Sequence, residues 1–149
     1  MKTYSQHKEI HPCKLNKQDL IELVKIIKKV FPKSDRKEDF QIMSNLPNLD
    51  IDENDIENFL NIEEIPNIIN RLSIRQIGWN TKGEIDKIVN ISLYTNYINL
   101  DINGFNEEWV LGKLTQIQNF LKAKRTKLFL SLSYWFIDSI KHVYDCKIY

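Results

Sequence analysis

From Leu72 to Ile102 apolar residues recur at every second position, and from Asn106 to Lys124 they recur at every third or fourth. The first rhythm belongs to a strand with one buried face, the second to an amphipathic helix. Leu72 and Ile74 share a phase that changes at Gly78 before Trp79, which marks a bulge. After turn residues at Asn80 to Gly83, Val89, Ile91 and Leu93 alternate with Asn90, Ser92 and Tyr94. A turn at Thr95-Asn96 leads to Ile98, Leu100 and Ile102, which alternate with Asn99 and Asp101. This spacing predicts an antiparallel meander over about 72–102 with one face to be covered.

Two helices are predicted to cover it. In the helix over 107–124, Asn106 is the cap, Glu107 and Glu108 take the first turn, and Lys122, Lys124 and Arg125 close it. Its predicted stripe is Val110, Leu111, Leu114, Ile117 and Leu121, with Trp109 or Phe120 beside it. A second helix, 17–31, begins at Asn16 with Asp19 three residues later. It carries Leu20, Leu23, Val24, Ile27 and Val30 inward and stops at Pro32.

Between these regions the pattern is weaker. Phe40, Ile42 and Leu46 suggest a short strand, and Asn48 to Asn54 reads as a polar loop. Asp52 or Asn54 would cap a short helix through Ile56, Phe59 and Leu60. Pro66 interrupts Ile62 to Asn70, giving an irregular connection or a helix starting just before Ile68. The polar stretch before Pro12 shows no helical pattern, and the tail from Leu128 to Tyr149 fits a C-terminal helix better than a strand. Together these features predict a single α+β domain over 1–149: a small, mainly antiparallel sheet covered on one face by helices 17–31 and 107–124, followed by the C-terminal helix.

Composition narrows the functional classes. Twenty-one basic and twenty acidic residues leave a formal charge of +1, which argues against a dedicated nucleic-acid binder. The N-terminal residues lack the apolar core of a secretory signal, and two cysteines without an export signal are expected as reduced thiols in the cytoplasm. The abundance of Ile, Asn and Lys is what A/T-rich coding DNA produces, as in low-GC bacteria and their mobile elements.

Candidate chemistry is sparse. No GxSxG, P-loop or GxGxxG motif is present. Asp50 to Asn54 resembles a calcium loop but has Asp55 where the loop glycine should stand and Asn61 where the bidentate glutamate should. Glu84, Asp86 and Lys87 loosely resemble the acid-lysine grouping of metal-dependent nucleases. All three histidines and both cysteines lie near the termini: His7, His11 and Cys13, then His142 and Cys146. The four-residue spacings His7–His11 and His142–Cys146 suit two ligands on one helix face, so joined termini would offer a zinc site. Finally, Lys124, Arg125 and Lys127 precede an apolar run containing Tyr134, Trp135 and Phe136. Cations before aromatics suit a partner surface or a membrane interface, though the run falls short of the roughly 20 residues a spanning helix needs.

The leading expectation is a non-enzymatic interaction or accessory protein with an unknown protein partner and no cofactor. A peripheral membrane module docking through 122–137, and a metal-binding protein using the terminal His and Cys residues, are the alternatives.

Overall fold

The computed structural model describes residues 2–32, 36–46, 49–69 and 71–124. Three long strands form the predicted meander: β6 (Leu72–Trp79), β7 (Ile85–Leu93) and β8 (Ile98–Gly104). They are numbered after β1 (Tyr4–Ile10), β2 (Leu15–Asn16), β3 (Phe40–Leu46), β4 (Leu49–Glu53) and β5 (Ile68–Ile69). The helices are α1 (Lys17–Lys28), α2 (Ile56–Leu60) and α3 (107–124). Six strands make one antiparallel sheet in the order β1-β8-β7-β6-β3-β4, while β2 and β5 form a separate two-residue pairing.

Alternation decides which face is sealed. Ile74, Ile91 and Leu100 lie in one cross-strand row, and Leu72, Leu93 and Ile98 in another. All six are buried. Opposite-facing neighbours such as Asn90, Ser92, Asn99 and Asp101 stay partly exposed. The register slips between Gly78 and Trp79, where the phase of the sequence changes. In the following turn, the Asn80 side-chain oxygen accepts from the amides of Lys82 and Glu84, and Gly83 takes the left-handed backbone that glycine tolerates best.

The helices α1 and α3 cover the apolar face. Leu20, Leu23, Val24 and Ile27 of α1 join Val110, Leu114, Ile117 and Leu121 of α3 in one core with the strands. Both caps form as the sequence predicts. Asn16 and Asp19 make a reciprocal capping box, and Asn106 accepts from the Trp109 amide at 2.9 Å. Gly104 lets α3 start close to the sheet, because a Cβ there would meet Trp109 and Val110 side-chain atoms at 3.0 and 3.1 Å.

The two helices are pinned to each other at both ends. Lys113 is 3% exposed, and its ammonium donates to the carbonyls of Ile26 and Lys29 at 2.8 and 2.9 Å. These are carbonyls at the C-terminal end of α1, where the helix dipole favours a cation. Burial pushes the Lys113 pKa down, and the nearby Lys29 charge adds to the effect. At the other end Lys124 meets Asp19 at 2.7 Å and Glu22 at 3.9 Å. Since Lys113 faces the end of α1 and Lys124 its beginning, the helices run antiparallel.

Several expectations are corrected. The polar N-terminus is a full strand, β1, paired with β8 from Tyr4↔Gly104 to Ile10↔Ile98. The expected loop at 48–54 is largely β4, paired with β3. Asp55, not Asp52 or Asn54, caps α2. Ile68 starts no helix and pairs with Asn16. The first helix ends at Lys28, and Val30 sits at φ 76°, 67% exposed, where a β-branched residue is strained. Leu111 is 44% exposed, one position off the buried stripe. The expected C-terminal helix lies outside the described residues.

Candidate interaction surface

Of the residues expected to hold zinc, His7, His11 and Cys13 are described. His7 lies on β1, exposed, with its Nδ1 hydrogen-bonded to Asp101 Oδ1 at 2.5 Å. His11 follows the strand, and in an extended chain four residues span roughly 13 Å rather than one helical turn. Cys13 is a free thiol, 7% exposed. Burial pushes its pKa up to about 11, with the Asp19 charge as the smaller cause, which keeps the thiol protonated. His142 and Cys146 lie outside the described residues. Among the described residues no group of three or more His, Cys, Asp or Glu is placed to hold a metal ion.

Of the residues expected to make the partner or membrane contact in this segment, only Lys124 is described. Its hydrogen bond to Asp19 is the main reason its pKa is raised, and its ammonium lies 5.3 Å from the Phe120 ring centroid. Lys124 is therefore bound within the fold. Arg125, Lys127, Tyr134, Trp135 and Phe136 lie outside the described residues. No helix among the described residues is long and apolar enough to cross a membrane.

The acid-lysine grouping is split by the β6–β7 bulge. Gly78 opposes Lys87 and Trp79 opposes Ile85, so Asp86 is the extra residue. Asp86 and Lys87 meet at 3.1 Å. Glu84 serves the preceding turn instead, accepting from the Asn80 side-chain nitrogen at 3.1 Å.

The face of the sheet away from the helices is polar and in register. One row runs His7, Asp101, Asn90, Arg75 and Gln41 across five strands. The next runs Glu9, Asn99, Ser92, Ser73, Met43 and Asp52 across all six. A cleft of about 250 Å³ opens at the β3 side of this face, lined in part by Met43, Asn45, Arg71, Ser73 and Tyr94. Tyr94 stacks on Tyr97 with ring centroids 4.7 Å apart.

Beside this cleft the charge is one-sided. Residues 38–70 carry nine acids and no lysine or arginine. Ile51 points into the core and anchors β4, while Asp50 and Asp52 are exposed. They stand directly across from Asn45 and Met43 of the cleft. Past the strand, Asp55, Glu57, Glu63 and Glu64 are also exposed. Among the described residues none of these carboxylates forms an ion pair. Asp55 is partly used, since it caps α2 by accepting from the Glu57 amide at 3.0 Å.

The sequence hides this edge because Asp50 to Asn54 reads as a solvated polar loop with helix-capping carboxylates rather than as a strand. The signal was the long gap between basic residues, which a net charge of +1 conceals. No protein family matches the sequence, and neither a curated protein nor a solved structure is significantly similar to it.

Proposed function

We propose that this chain is a non-enzymatic interaction protein that engages a positively charged protein partner through the β4–α2 edge. The observation that carries this reading is the run of exposed carboxylates on β4 and α2, none of which forms an ion pair among the described residues, with Lys17 turned to the Leu60 carbonyl and Arg71 on the neighbouring cleft as the nearby cations. Surface acids gathered on one edge repel one another, and a basic partner relieves that repulsion. Such a surface also speeds encounter with its partner in a salt-dependent way. A cytoplasmic setting suits the buried free thiol of Cys13.

Affinity capture from the native host tests this, using wild-type protein and the double variant Asp52→Lys/Glu57→Lys. Circular dichroism establishes that both fold. The expected result is a basic partner retained by wild type in low salt and lost with the variant. An identical set of captured proteins for the two, or capture insensitive to salt, overturns the reading.

A further inference from the structure

We infer that β4 receives an extended, Lys- or Arg-rich segment of the partner as a seventh strand of the sheet, an inference that rests on the acidic-edge reading above. β4 is the last strand of the sheet, so one side of its backbone has no strand to pair with among the described residues. An edge of this kind is a template for main-chain hydrogen bonds from an incoming strand. The side chains select what can come. Asp50 and Asp52 stand on one face of β4, with Ile51 on the other. A residue opposite Asp50 or Asp52 in an added strand has its Cβ about 4.5–5.5 Å from the carboxylate-bearing residue, where opposite charges stabilise the pair and like charges destabilise it. Basic residues at alternate positions satisfy both aspartates, and a long aliphatic stem can lie over them toward Met43, which is partly exposed at the cleft.

The other edge of the sheet lacks this selectivity. β1 presents His7, Lys8 and Glu9, of both signs, and His7 is already held by Asp101. The inference therefore assigns a strand-shaped basic ligand to β4 and none to β1.

A short peptide of alternating lysine and valine is the probe, titrated against the full chain by calorimetry, with amide hydrogen exchange read residue by residue. A second peptide of the same sequence is N-methylated at alternate residues, which keeps the charge and removes strand donors. The expected result is slowed exchange of the β4 amides on adding the first peptide. Affinity should be at least about tenfold weaker for the N-methylated peptide, and similarly weaker for the Asp50→Asn/Asp52→Asn variant. Equal binding of both peptides, or protection at β1 in place of β4, overturns the strand mode while leaving an acidic docking edge intact. No binding of either peptide, with capture from the host also unchanged in the charge-reversed variant, removes the edge reading itself.

Discussion

The two sides of this sheet are built on opposite rules. From β8 through β7 to β6, strands of seven to nine residues pair along their lengths and fill their inner face mainly with Ile, Val and Leu under two helices. At the far edge β4 has five residues, with Ile51 turned into the core and the aspartates turned outward. Burying one large aliphatic side chain contributes roughly 1.5–3 kcal/mol, whereas an exposed carboxylate contributes little and can oppose folding through repulsion. On the proposed reading, stability and selectivity are thus placed in different parts of the molecule. The covered meander holds the shape that the edge displays.

The sharpest way to break this division is inside the meander. Ile91 is fully buried in β7, so Ile91→Ala is expected to cost about 2–5 kcal/mol in urea unfolding, from lost transfer energy and the cavity left behind. A loss below about 1 kcal/mol would mean that the covered face is not where stability resides.

The next largest effect is conditional on pH. An unfolded Cys13 thiol ionises near 9, while in the fold it ionises near 11, so the native state binds more protons between these values. Stability contributed by the neutral buried thiol is complete below pH 9 and falls as pH rises toward 11, by at most about 2–3 kcal/mol. Unfolding curves across that window should slope downward in wild type and lose much of this slope in Cys13→Ala.

The smallest effect belongs to the edge. Asp50→Asn/Asp52→Asn is expected to change stability by less than about 0.5 kcal/mol, in the same urea assay, while weakening the basic peptide. A large destabilisation would place these carboxylates in the scaffold and erase the contrast between the two regions.

What could be read in advance follows the same divide. Val89, Ile91 and Leu93 announce their strand because every second residue is apolar, and Asn16 with Asp19 announces α1 because its cap is local. β1 is hidden because its inward positions are Tyr4, Gln6, Lys8 and Ile10, and its pairing with β8 joins residues 88 to 100 positions apart. β4 escaped because Asp50, Asp52 and Glu53 resemble loop residues until β3 supplies the ladder that makes them a strand. Lys113 falls on the buried stripe of α3, where a periodicity argument counts it as an interruption. Only the neighbouring carbonyls of Ile26 and Lys29 reveal why a cation belongs there. For the site, the acids were visible, but their joint exposure required the order of the strands.

The clamps at Lys113 and Lys124 have a mechanical consequence. Sliding α1 along α3 would pull a buried ammonium from both its carbonyl acceptors at one end and break an ion pair at the other, so the two helices resist moving past each other. Compliance is then concentrated at the opposite rim. There the short β4 ribbon, with Ile51 turned into the core, would on the proposed reading adjust its twist to a visiting chain without disturbing the helical layer.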